Sequence, residues 1–356
     1  MIINMSYENG LSALNLEMPP KIPRTEYSAH FHWDLVQKVT GIEVSSYSFG
    51  QTRIQASEKF IKAWDYGFFW NIIPFDEQFG ENHTKMGHAS YQQNSADYSD
   101  DVHIFIEEPE DVFDLDFFET YGEKDKNRLI TDFNQDYQKM IREHPDTVNM
   151  TGIYTTCMSG AIEILGWDML LLAAGVDSRL FGEFMNRYTE WNLQYFEALA
   201  ECDSPVVMVH DDIVWTSGAF LAPEFYRTFI FPNLKKLLAP LQEKGKKIIF
   251  TSDGNFTQFV DDIAACSVNG FVMEPCTDMS YICEKYGNTH IIVGNADTRI
   301  LLYGDKDDIE NEVKRCIALG RGCPGYFMAV GNHIPPNTPV DNCLYYNEFY
   351  EKYSRR

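Results

Sequence analysis

The stretch that decides the fold runs from Pro205 to Asn255, PVVMVHDDIVWTSGAFLAPEFYRTFIFPNLKKLLAPLQEKGKKIIFTSDGN. Val206–Val209 is a short, β-branched apolar run, as strands buried in a parallel sheet are. His210, Asp211 and Asp212 follow at once, where that strand must end. The pattern then predicts a helix over 223–244, opened by Pro223 and Glu224 in its first turn. A second strand follows over 246–250, closed by the acidic glycine turn Thr251-Ser252-Asp253-Gly254-Asn255. Polar groups at the C-terminal ends of successive parallel strands are where a barrel keeps its chemistry.

Outward from this unit the alternation continues. Strands are expected at 269–273, 290–293 and 326–330, with helices at 256–265, 278–286 and 306–319 between them. Upstream, Phe68–Ile73 and Val148–Tyr154 read as strands, and 55–64, 125–143, 161–174 and 178–201 as helices. Residues 75–101 read as a long polar loop, of a length that is often functional. Repeated βα units require a parallel sheet, and this many favour an α/β fold closed as a (β/α)8 TIM barrel. No linker divides residues 1–356, so one domain is expected, with an irregular lead-in over 1–23 and an N-terminal cap of loops and helices.

Bulk composition narrows the function. At 356 residues and 44% hydrophobic, the chain can bury a large core. Its net charge of -24 argues against nucleic acid and anionic membranes as partners. The eight cysteines form no CxxC pair and read as reduced thiols. The start, MIINMSYENG, has no leader pattern, and the greasy stretch near 169–176 is too short to span a bilayer. A cytoplasmic protein is the expectation, with a homodimer as the candidate assembly. GxGxxG, Walker and GxSxG motifs are all missing, which turns attention away from nucleotide and serine-hydrolase chemistry.

The candidate site is the set of polar strand ends. His210 with Asp211 and Asp212 suits a metal, proton transfer or a polar substrate. Asp253 and Asn255 end the next strand, in a sequence that is equally a good turn. Glu274 follows Gly270–Met273, Asp297 follows the next strand, and Asn332 and His333 follow the last, before a fixing Pro335-Pro336 pair. In the long loop, His88 sits in the turn KMGHA. Trp64, Tyr66, Phe68, Phe69, Trp70, Tyr91, Tyr154 and Trp215 offer an aromatic lining, though core packing explains any one of them as well.

Several of these segments carry a resemblance. RTEY from residue 24, MGHA at 86–89, HDD at 210–212, SGAFLAPEFYR at 217–227, TSDGN at 251–255 and GNHIPPNTP from residue 331 resemble the uroporphyrinogen decarboxylase superfamily. The resemblance implies a (β/α)8 barrel with its cleft at the C-terminal strand ends. It implies one of two chemistries. Members that decarboxylate carry arginines in the first βα loop, whereas Glu26-Tyr27-Ser28-Ala29-His30-Phe31-His32 has none. Members that methylate thiols with a cobamide hold zinc through a His-x-Cys turn and a later Cys. Here that turn is Thr251-Ser252-Asp253, and the later position falls near Asn332.

What is left resembles a branch that moves methyl groups from methoxylated aromatics, or similar small-molecule donors, to a corrinoid protein. On that resemblance His88, His210, Asp253 and Glu274 are expected to hold zinc. Asp211, Asp212, Asn332 and His333 are the expected catalytic groups, and Glu26, Trp70, Tyr154, Trp215 and Asn255 the expected substrate contacts. The corrinoid would come from a partner protein docked over the barrel mouth. The alternatives are transfer from a methylcorrinoid to another acceptor, uroporphyrinogen decarboxylation, and a non-catalytic small-molecule sensor.

Overall fold

Six parallel strands form one sheet in sequence order in the computed structural model, which describes residues 5–73, 78–84 and 103–356. They are β1 (Thr151–Ile153), β2 (Val206–His210), β3 (Lys247–Ser252), β4 (Gly270–Met273), β5 (Ile291–Val293) and β6 (Tyr326–Phe327). Two more segments close the ring. Arg24 bridges in parallel to Met328 on one side and to Tyr66 on the other, and Phe68 bridges to Val148 just ahead of β1. The sheet therefore returns to its start, and the barrel has eight staves, as the alternation of the sequence demands.

Alternation along each stave divides two cores. Phe68, Met150, Val206, Met208, Ile249, Val272, Val293 and Phe327 fill the interior, while Val207, Val209, Ile248, Phe250 and Phe271 face the surrounding helices. The interior cluster also contains Ala13 and Leu14. They belong to a helix, Met5–Leu14, in the segment expected to be irregular. Gly10 lies so close to the backbone of Gly67 that an added Cβ would sit 1.8 Å from its carbonyl oxygen. Lys247 Nζ donates to the Leu14 carbonyl at 2.9 Å. This helix is fixed by packing under the barrel, not by its own periodicity.

Two helices differ from expectation. The helix from residue 223 is broken into Pro223–Phe225, a π-helical turn over Tyr226–Ile230, and Phe231–Glu243. Pro232 has no N–H to continue the i→i−4 ladder, which accounts for the extra residue in that turn. Met158–Val176 has 19 residues and is long and apolar enough to cross a bilayer, contrary to the short stretch expected. It packs on helix Ser178–Glu201, has 56% of its apolar window buried, and is interrupted at Gly166 (φ 70°), so its hydrophobicity is used inside the fold. All eight cysteines are free thiols.

Candidate active site

The barrel's C-terminal strand ends bring four acceptors together. His210 ends β2, and its imidazole lies 3.4 Å through Nε2 from Asp212 Oδ1. The ring stacks on Tyr154 at 4.3 Å and 14°, and its Nδ1 is buried without a hydrogen-bond partner. Burial lowers the His210 pKa to about 4, against the pull of Asp253, so the ring is neutral near pH 7. Neutral imidazole is the form that binds metals.

Asp212 and Asp253 face each other through the loops after β2 and β3. Asp212 Oδ1 accepts the Asp253 backbone N–H at 3.1 Å, and the Asp212 N–H donates to Ser159 Oγ at 2.8 Å. Asp212 is pushed up to about 6 by burial and by the charge of Glu274. Asp253 is pushed up to about 7 by the protein packed around it, then by Asp212 and Glu274, and is eased by His210 and Asn332. By surface area Asp253 is nevertheless exposed, so the neighbouring carboxylates are the firmer cause of its shift.

Glu274, after β4, accepts the Gly254 N–H at 2.8 Å on one oxygen and the Asn332 amide at 2.6 Å on the other. Asn332 in turn accepts the His333 N–H at 2.7 Å. One ligand atom each from His210, Asp212 and Asp253 lies within 4.8 Å of the other two, the spacing of a cation site. Two of these three were expected as metal ligands. The third, Asp212, was expected to be catalytic. His88 lies outside the described residues.

Asp211 and Asp212 are neighbours in sequence and part ways in space. The Asp211 side chain turns under helix Met158–Val176, where Oδ1 accepts the Ser159 N–H at 2.9 Å. It is fully buried, and burial raises its pKa to about 7. One oxygen anchors the helix start, the other is buried without a hydrogen-bond partner, and the ligand group at the mouth is built on Asp212. Glu26, expected as a substrate contact, is also turned into the fold. It is 1% exposed, ion-paired to Arg24 at 2.9 Å, and accepts from Val330 N–H and the Tyr346 hydroxyl. Three protein donors and almost complete burial turn it into the fold and away from the mouth.

Asn255 accepts the Thr257 N–H at 3.1 Å and caps a local turn. Trp215 stands at the rim, 43% exposed, against Trp167 and Phe220. Asp297 caps helix Thr298–Tyr303 and pairs with Arg299. Trp70 lies 4.1 Å from Tyr27, and His333 lies 5.7 Å from it on another side.

Tyr27 is the group that sequence reading missed. Burial raises its hydroxyl pKa, and Asp253, Glu274 and Asp212 add to the shift, so the phenol stays protonated beside the acids. The signal was its place directly after the first stave. Tyr27 and His333 also line a cleft of about 590 Å3, with Trp33 and Tyr47.

Fold and site together define a TIM-barrel enzyme with an acidic, cation-competent mouth. The chain belongs to the uroporphyrinogen decarboxylase (URO-D) family, whose description matches residues 109–353. Among curated relatives, the uroporphyrinogen decarboxylase of Syntrophotalea carbinolica is 28% identical over 46% of this chain and 46% of its own length. That of Coxiella burnetii is 27% identical over 46% and 45%. The chain thus spans about half the length of the curated relatives it matches. Among solved structures, a methyltransferase from Methanosarcina mazei superposes with a TM-score of 0.64 at 16% identity, covering 98% of both chains. At that identity the likeness shows the shared fold.

Proposed function

We propose that this chain is a corrinoid-dependent methyltransferase. It moves a methyl group from a methoxylated aromatic to the cobalt of a separate corrinoid protein docked over the barrel mouth. The observation that carries this reading is the His210–Asp212–Asp253 group at the strand ends. One neutral imidazole and two carboxylates supply three nitrogen and oxygen ligands, the number that catalytic zinc sites use while leaving a fourth position open. The donor set fits zinc, and His210, Asp212 and Asp253 would hold it. Bound there, zinc supplies Lewis acidity to an ether oxygen, which turns a poor leaving group into a better one.

The chain's own residues do the rest. Glu274 is held by the Gly254 N–H and by Asn332, and it keeps the Asp253 turn in place. Tyr27 keeps its proton beside the acids and offers a donor to the departing oxygen. Its ring and Trp70, tilted at 46° to each other, offer apolar faces to an arene. As the methyl passes to cobalt, the electron pair of the broken carbon–oxygen bond stays on oxygen, and a proton from the cluster yields the phenol. The Methanosarcina mazei protein of the same fold is a methyltransferase, which accords with this reading.

The names of the curated relatives favour a second reading, uroporphyrinogen decarboxylation. An acidic mouth repels a substrate bearing many carboxylates, and the segment 26–32 has no arginine to attract one. The test is anaerobic incubation of the protein with cob(I)alamin and a panel of methoxybenzenes. Loss of cob(I)alamin absorbance with matching release of a phenol is expected. Decarboxylation of uroporphyrinogen without any methyl transfer would overturn the proposal.

A further inference from the structure

A second cavity, of about 440 Å3, shares Tyr27 and Trp33 with the first, is lined also by Trp70, and is linked to the cluster through Tyr27, whose hydroxyl feels the charges of Asp253, Glu274 and Asp212. Trp33 and Phe69 form further walls. Phe69 is itself flanked by two imidazoles, His144 stacked at 4.0 Å and His30 at 5.4 Å. Both imidazoles are buried, and each has an Nδ1 without a hydrogen-bond partner. Walls of this kind suit a flat ring.

The cavity's edge carries positive charge. Arg53 and Lys139 line it, both are exposed, and neither makes an ion pair among the described residues. Nearby Lys21, Arg24 and Lys62 have carboxylate partners, so their charge is already neutralised, whereas that of Arg53 and Lys139 is available to a ligand. Gly50, the first residue of helix Gly50–Ala63, lines the same edge, and that helix start has no side-chain cap. Its free N–H groups add to the positive end. The one acid in the lining, Glu143, is shared with an adjoining groove that also contains Glu58.

We propose that this slot binds an aromatic carboxylate, its ring between Trp33, Phe69 and Trp70 and its carboxylate on Arg53 and Lys139. The assignment of that ligand as the methyl donor rests on the function proposed above and narrows it: the donor is an arene bearing both a methoxy group and an acid. Arginine with lysine gives charge-assisted hydrogen bonds to a carboxylate that a neutral ring cannot use.

Benzoate, which has no methyl to transfer, is the probe. Titrated into the full chain and followed by tryptophan fluorescence, it should bind saturably. The Arg53→Gln/Lys139→Gln double variant should bind it about tenfold more weakly or worse, while anisole binds both proteins alike. Both substituted side chains are exposed, so the fold should survive, as circular dichroism would check. Equal benzoate affinity in the two proteins, or no saturation, overturns the slot. The two proposals fail separately. Charge-dependent benzoate binding without methyl transfer from any methoxybenzoate leaves the slot standing and removes the donor assignment. Methyl transfer from neutral methoxybenzenes with charge-independent benzoate binding removes the slot alone.

Discussion

Two acids at strand ends, Glu26 and Asp253, look alike in sequence and differ in everything around them. Glu26 sits in a closed system. Arg24 pairs with it, bonds Asn347 at 2.6 Å, and lies over the rings of Trp64 at 4.3 Å and Tyr350 at 4.5 Å. Both side chains are fully buried and their charges are paired, with the Arg24 Nε alone buried without an acceptor. Asp253 sits in an open system, exposed at the mouth, among His210, Asp212 and Glu274, with more negative charge nearby than the protein neutralises. A buried charge whose needs are met holds the fold. A crowd of acids whose needs are not met is kept for something that arrives from outside.

The largest expected effect breaks the closed system. Glu26→Ala leaves Arg24 buried without its counter-ion and should cost about 3–5 kcal/mol, read as a fall in chemical or thermal midpoint. A variant of unchanged stability would remove the distinction between the two systems. Asp253→Asn should do the opposite. Methyl transfer should fall by about 10²–10⁴-fold, the usual contribution of a positioned acid or ligand. Its unfolding free energy should stay within about 1 kcal/mol of the parent, because an exposed side chain is altered.

A smaller effect is expected in acid. Burial lowers His144 to about 4 from its usual 6.5. Between those values the unfolded chain takes up a proton that the folded chain refuses. This contribution is therefore complete above pH 6.5 and is lost as pH falls towards 4. His144→Phe keeps the stacked ring and removes the proton site, so its melting point should fall less than the parent's across that window. Parallel curves would show that His144 is accessible to protons in the folded state. The smallest effect is expected at Asn255→Ala. Loss of one turn cap should cost about 0.5–1 kcal/mol and leave methyl transfer unchanged, and a large activity loss would return Asn255 to the site.

The sequence made the second half of the barrel readable because its signals are local. Runs such as Val206–Val209 and 246–250 became β2 and β3 with their polar ends at the expected mouth. The first two staves were harder. They are held mainly by bridges of Arg24 to Tyr66 and Met328, and the Arg24–Glu26 pair is completed by Tyr346 and Asn347, more than 300 residues away. Helix Met5–Leu14 depends on contact with Gly67 and the barrel floor, which no periodicity announces. Asp211 and Asp212 lie just beyond the end of a strand, where alternation stops predicting direction. The choice between them was made by Ser159, whose N–H holds one and whose hydroxyl holds the backbone of the other. Tyr27 went unread because a tyrosine beside a core segment is ordinarily packing, and only the folded acids around it give it chemistry.

The most direct test of the open cluster is bound zinc, measured by elemental analysis in the parent chain and in Asp253→Asn after loading with the metal and desalting. The account predicts about one zinc per parent chain, as for a single three-ligand site, and little or none in the variant. A parent chain that keeps no zinc, or a variant that keeps as much as the parent, would contradict it.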